Sequence, residues 1–419
     1  MIEEHKRVSG LSGNEIYCLN KLGMKPGQLC VGNSVVAIGV ARGIGAGLST
    51  LGGGEVSEIT NLVHNGRLRA FNRMMEEAKH YGGIGLTGVS FDLINHGGNL
   101  EFITTGSTVH GGEAAVSTAS SSKKFSTSAD AQQLYCQMDS GFEPLSFVFG
   151  NVAYSIGLGG NISGAFRQLS RGEVPQYSEI FDKTRHLALK RIVDNAKQHG
   201  ANAVIGIQTT ISSVLGTQEM MMVGTASRHP ALDHYLAEPV TSDMTNEEMW
   251  NMVNLGYQPI KLVMGVSVYS LGLKGGIFSA LQSLGGGEVS GLTEILYEAR
   301  EKALARIERD AEACGADEVI GVKTRVYDLG KGLVEFMAIG TAVKRIPGAN
   351  NPMKTKNENL PPQAIIRDQE TFIDSTDGGT LSLNRSNMQS APRLQGGPAS
   401  VIGIIMVILI FMLKLWLHH

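Results

Sequence analysis

The chain has 419 residues, too many for one ordinary core and enough for about three domains of ~100 residues with sequence to spare. Its formal net charge of -3, with acids and bases interspersed, leaves no electrostatic footprint for nucleic acid, so a DNA or RNA partner is not expected. Four scattered cysteines, Cys18, Cys30, Cys136 and Cys314, form no C-x-x-C pair and have no histidines at ligand spacing, a pattern of buried thiols in a reducing compartment.

Met1 to Gly10 is polar and cannot serve as a secretory signal. From there the chain repeats itself. A short helix is expected over Asn14 to Leu22, again over Ala131 to Ser140 and again over Asn246 to Leu255, each followed by a glycine and then by Pro26, Pro144 or Pro259. The recurrences hold register: Gly54-Glu55, Gly172-Glu173 and Gly287-Glu288 are separated by steps of 118 and 115, as are Ala70, Ala188 and Ala303, and Gly88, Gly206 and Gly321. Glu101, Glu219 and Glu335 share a second step of 116, as do Gly106, Gly224 and Gly340, which places one inserted residue in the last hairpin. Self-similarity of this kind means three small domains rather than one large one.

The third copy is clearest. Lys261 to Leu273 is β-branched and aromatic, which predicts a strand. From Leu292 to Cys314 the apolar positions Leu292, Ile295, Leu296, Ala299, Ala303, Ile307, Ala311 and Cys314 share one helical face, and Gly315 ends that helix. Val319 to Tyr327 and Leu333 to Val343 then form a hairpin across Gly330-Lys331-Gly332. The order β, α, β, β predicts an α+β unit of one long helix on a three-stranded antiparallel sheet. Such a sheet has two open edges and a thin core, and association is the common remedy.

At these residues the chain resembles a known family. Gly315-Ala316-Asp317-Glu318-Val319-Ile320-Gly321 and Gly200-Ala201-Asn202-Ala203-Val204-Ile205-Gly206 are similar to the pattern of the YbjQ-like domain, sometimes labelled a heavy-metal-binding domain. The first copy departs from it at Gly82-Gly83-Ile84-Gly85-Leu86-Thr87-Gly88. The resemblance implies dodecin-like βαββ subunits that assemble into rings, usually five-fold. The organisation expected is repeats at 11–109, 131–226 and 246–345, linkers at 110–130 and 227–245, and a disordered tether over 346–397.

No constellation for catalysis is present, and no cofactor is called for. Gly-Gly-Gly-Glu-Val-Ser lacks the Lys-Ser/Thr of a P-loop, and its glutamate would repel a phosphate. Cysteine and histidine do not recur in register, so no metal ligand is assigned. What does recur is charge: Arg67, Arg185 and Arg300 share one helix slot, and Arg73, Arg191 and Arg306 another. On a helical wheel Arg300 lies about 50° from the centre of the apolar face and Arg306 about 70° away on the other shoulder. Arginine there can bridge to the recurrent acids Glu55, Glu173, Glu288, Glu101, Glu219 and Glu335, either inside each unit or across to an adjacent repeat or subunit.

The chain closes on an apolar stretch, 398–417, containing Val401, Ile402, Ile404, Ile405, Val407, Ile408, Leu409, Ile410, Phe411, Leu413 and Trp416. Twenty helical residues would span about 30 Å of hydrocarbon. A tail-anchored protein is expected, with its repeats on the cytoplasmic side, although an assembly helix would carry the same pattern. The functional expectation is a membrane-anchored scaffold whose partners are further copies of itself and the bilayer. The alternative is a small-ligand or heavy-metal-binding oligomer with sites between subunits, lined by residues such as Tyr154 and Tyr269, whose slot holds Val36 in the first copy.

Overall fold

Each repeat opens on a nine-residue helix: α1 (Gly13–Lys21), α3 (Ala131–Asp139) and α5 (Asn246–Asn254). Ser12 and Thr245 close capping boxes with Glu15 and Glu248, and the Asp130 carboxylate accepts from the Gln133 amide, so one orphan amide at each of the three starts has a side-chain acceptor. The long helices are α2 (Ser57–His80), α4 (Pro175–Gln198) and α6 (Ser290–Ala313). The computed structural model describes residues 7–37, 54–96, 98–111, 124–155, 172–270, 290–330, 333–346 and 351–367.

The long strands are β1 (Met24–Ala37), β3 (Gly85–Asn95) and β4 (Asn99–Gly111) in the first repeat, and β6 (Glu143–Ser155), β8 (Ala203–Val214) and β9 (Thr217–Arg228) in the second. The third has β11 (Tyr257–Ser270), β12 (Glu318–Gly330) and β13 (Leu333–Arg345). Within each repeat the last strand lies between the other two, all antiparallel. Gly88, Gly206 and Gly321, at φ 63°, 62° and 65°, sit where the register of each hairpin slips. They are bulge positions that require left-handed backbone, which is why glycine recurs there. The extra residue of the last hairpin falls at a second slip, between Asp328 and Gly330.

The expectation of three-stranded sheets is corrected to sheets of four, five and four strands. The Gly-Glu dipeptides are short strands, β2 (Gly54–Glu55) and β7 (Gly172–Glu173), and each adds to the sheet of the following repeat. Glu55 pairs with Tyr154 on β6, and Glu173 with Tyr269 on β11. The segments read as linkers also contain structure. β5 (Phe125–Ser126) and β10 (Val240–Thr241) pair in parallel with β3 and β8 of the preceding repeat, and a 3-10 turn covers Pro230–Tyr235. Sheet edges at the two internal junctions are thus closed by neighbouring repeats, as exposed edges demand.

Packing between helix and sheet is close. A Cβ at Gly32, Gly150 or Gly265 would lie 2.1, 2.5 or 1.9 Å from the carbonyl oxygen of Ala70, Ala188 or Ala303. The recurrent alanine and an equally recurrent glycine therefore meet backbone to backbone.

The tether reading of 346–397 is corrected over its first part. Residues 351–367 run across the short helices: Gln132 donates to Ile366 O at 2.7 Å, Arg367 pairs with Glu247, and Ala364 is buried with Cys18, Tyr135, Cys136 and Trp250. Proline-rich polar sequence can hold a fixed course when its backbone groups find side-chain partners, and these do. The apolar segment 398–417 lies outside the described residues. Among those residues no helix is long and apolar enough to cross a membrane.

Candidate functional site: the junction between repeats

The predicted arginines and glutamates meet mainly across repeats. Arg67 on α2 donates to both carboxylate oxygens of Glu219 on β9, at 2.5 and 2.8 Å. Arg185 on α4 does the same to Glu335 on β13, at 2.8 and 2.7 Å through Nη2, with Nε adding a bond of 3.1 Å. Both pairs are buried, with side-chain exposures of 3% and 0% in the first and 0% for both partners in the second. Burial pushes the Glu335 carboxyl above the usual carboxylate range, and the Arg185 guanidinium opposes that rise.

The second arginine slot runs the other way. Arg191 pairs with Glu55 at 2.7 Å and donates to Asn151 O in its own sheet, while Arg306 pairs with Glu173 at 3.0 Å and donates to Val266 O. Helix hydroxyls complete the seam. Thr60 Oγ1 accepts from the Ala153 amide and Ser178 Oγ from the Val268 amide, both at 2.9 Å, and Val56 N and Val174 N donate to the same strands. Every junction is thus tied in both directions by charge and by backbone.

Apolar contact fills the space between. Val89, Phe91 and Met74 of the first repeat pack with Phe147, Phe149 and Met221 of the second. Ile207, Ile192 and Val204 of the second pack with Leu262, Met264 and Ile339 of the third. Fully buried side chains of this size each stabilise by roughly 1.5–3 kcal/mol, so the apolar seam outweighs the ion pairs, whose desolvation offsets much of their attraction.

Three predicted residues have partners elsewhere. Arg73 donates to Asn33 O inside its own repeat. Arg300 pairs with its neighbour Glu301 at 3.0 Å and lies over the Tyr297 ring, and Glu101 pairs with His96 at 2.8 Å. Glu288 lies outside the described residues. Tyr154, considered as a ligand-lining residue, receives a hydrogen bond from Arg185 and is buried beneath it; Tyr269 is equally buried.

Sequence reasoning missed the His186–Asp310 pair, which joins α4 to α6 at 3.0 Å, the strap formed by residues 351–367, and the Trp250 Nε1–Asp139 bond of 2.7 Å beside that strap. The aromatic slot recurs, as Tyr17, Tyr135 and Trp250, but its acidic partner does not, since Lys21 and Asn254 stand in the slot of Asp139, and neither His186 nor Asp310 recurs as a charge pair.

The family model described as "Putative heavy-metal-binding", YbjQ, matches residues 24–111, 141–229 and 255–345. The chain belongs to the YbjQ family. All three repeats are members, including the first, whose helix-end pattern departs from the other two. The chain is 30% identical over 233 residues to the encapsulin nanocompartment protein Rv1762c of Mycobacterium tuberculosis, covering 54% of this chain and 87% of that protein. It is 40% identical over 85 residues to a UPF0145 protein of Thermosipho africanus, covering 20% of this chain and 79% of the relative. For the UPF0145 protein Ta0182 of Thermoplasma acidophilum the figures are 39% over 99 residues, 22% and 83%.

The metal in the YbjQ family description finds no donor set among the described residues, where no three histidine, cysteine, aspartate or glutamate side chains converge. Burial pushes the Cys18 and Cys30 thiols up to about 12 and raises Cys136 further, which opposes the thiolate that a metal would need.

Proposed function

We propose that this YbjQ protein is a self-assembling scaffold whose repeats are successive segments of a larger homo-oligomeric ring or shell. One observation carries the reading: each internal junction is a buried interface built from both charge and strand addition, so the repeat surface is made for a neighbour of its own kind. Likeness to a protein named for an encapsulin nanocompartment supports the same class of function. The role proposed is structural, carried by the junctions between repeats.

The apolar 398–417 segment belongs to this proposal as a bilayer anchor that holds the repeats on the cytoplasmic side. Its length and hydropathy support it. Extracting the membrane fraction with alkaline carbonate tests the anchor; a chain released into the supernatant would contradict it. Mass measurement of the purified full-length chain tests the scaffold. Particles of several times 44.7 kDa are expected, and a monodisperse monomer would overturn the reading.

A further inference from the structure

The three repeats use the same junction twice, which leaves one half of it at each end. On the first repeat, strand β1 presents Val31 at 48% exposure, whereas the same register position holds Phe149 at 5% in the second repeat and Met264 at 0% in the third. Val35, opposite Glu101 on β4, is 58% exposed; Ala153, opposite Glu219, and Val268, opposite Glu335, are both fully buried. The front face of repeat one thus has the shape of a junction without its neighbour.

The third repeat shows the matching back face. Val322, at the bulge of β12, is 41% exposed, while Val89 and Ile207 at the equivalent bulges are 2% and 3% exposed under the following repeat. Arg300, in the slot of Arg67 and Arg185, has a side chain 46% exposed and turned to its own helix. Glu101, in the slot of Glu219 and Glu335, is 21% exposed and turned to His96. Among the described residues β12 also has no short parallel strand beside it, whereas β3 has β5 and β8 has β10. The segment in that slot of the first repeat is Arg7-Val8, which lies along β1 with Val8 O accepting from the Leu29 amide.

We propose that a second copy of this chain docks head to tail, its first repeat on the third repeat of the first copy, repeating the internal junction. Arg300 of one chain then holds Glu101 of the next, and Val31 of the incoming chain covers Val322. Arg7-Val8 adds beside the start of β12. The occupant is fixed by complementarity: Arg300 on one face answers Glu101 on the other, apolar residues stand on both, and each is a copy of a face already joined inside the chain. Such an interface is heterologous, so it extends until the rotation closes a ring or winds a filament, always in steps of three repeats.

This inference rests on the scaffold reading, and charge reversal separates the two. Arg300→Glu and Glu101→Arg, each alone, put like charges at every chain-to-chain contact and should drop the particle mass to that of the 44.7 kDa chain. Mixed one to one, the two variants face each other with opposite charges at every contact, and the assembly should return. Both side chains are partly exposed, so circular dichroism of each variant should match that of the parent. Val322→Glu, which attacks the apolar half, should also give monomers. An assembly of parent mass in either charge variant, or a mixture that stays monomeric, overturns the head-to-tail contact while leaving the scaffold. A parent chain that is itself monomeric overturns both.

Discussion

Arg185 in the second repeat and Glu335 in the third form a buried, bidentate ion pair, 150 residues apart in the chain, with the guanidinium lying over the Tyr154 ring. Removing either partner alone strands a charge away from water. Arg185→Met or Glu335→Leu should each cost about 3–5 kcal/mol at this junction, because the remaining charge has lost its counter-ion. Replacing both together should cost far less, since no buried charge is then left without a counter-ion and only the Tyr154 hydroxyl loses a donor. Thermal unfolding of the two single variants and the double measures this, and a double variant as unstable as the sum would refute the desolvation account.

The arginine and glutamate slots were legible because they recur in register, and so was the order of helices and strands. The partners were not. An arginine on the shoulder of a helix can reach its own sheet or the next, and pattern alone gives both the same weight; Arg67 reaches Glu219 only because Gly54-Glu55 threads onto β6 and brings the second sheet against α2. Two-residue strands carry no period, so these additions cannot be read from alternation. The strap is hidden for a related reason. It is held by backbone carbonyls and single polar side chains such as Asn357 and Asp139, which leave no hydrophobic rhythm in the sequence.

Close approach of Gly265 to Ala303 gives the second expectation. A methyl at residue 265 would stand 1.9 Å from the Ala303 carbonyl oxygen, so helix α6 must move off the sheet to admit it. Gly265→Ala should destabilise the third repeat by about 1–3 kcal/mol, the usual cost of overpacking. Gly315→Ala would meet open space but positive φ, at 69°, so it should cost about 1 kcal/mol through backbone strain alone. Denaturant midpoints of the two variants compare the mechanisms, and equal loss at both sites would contradict the steric argument.

His186 and Asp310 tie α4 to α6, and their titration gives a pH dependence. Burial works against charge on His186, but its bonds to Asp310 and Asp182 raise its pKa above the ordinary 6.5. Burial likewise opposes charge on Asp310, yet His186 holds its pKa below the ordinary 3.8. A raised histidine stabilises the folded state fully below 6.5 and loses that contribution as pH rises through the folded value; a depressed aspartate contributes above 3.8 and loses it as pH falls. The pair should therefore be strongest between about pH 4 and 6.5 and weaken toward neutrality. Both groups are about one-third exposed, so the change should stay within about 1 kcal/mol. The difference in unfolding midpoint between the parent and His186→Gln should shrink from pH 5.5 to pH 8; a constant difference would remove His186 from the account.

The strap closes over the short helices and should be what keeps two thiols and an indole dry. Asn357 donates to Asp139 and Tyr135, Asp139 accepts from the Trp250 indole at 2.7 Å, and Ala364 lies against Cys18, Cys136 and Trp250. Ending the chain after residue 346 removes this cover without touching the three repeats, whereas ending it after residue 367 keeps it. The shorter protein should show red-shifted tryptophan emission and rapid modification of Cys18 and Cys136 by a neutral thiol reagent. The longer one should keep its remaining indole blue-shifted and its thiols as slow to react as those of the full chain, because burial both blocks the thiols and disfavours their ionised form. Equal thiol reactivity in the two truncations would show that the repeats bury these cysteines unaided and that the strap has another purpose.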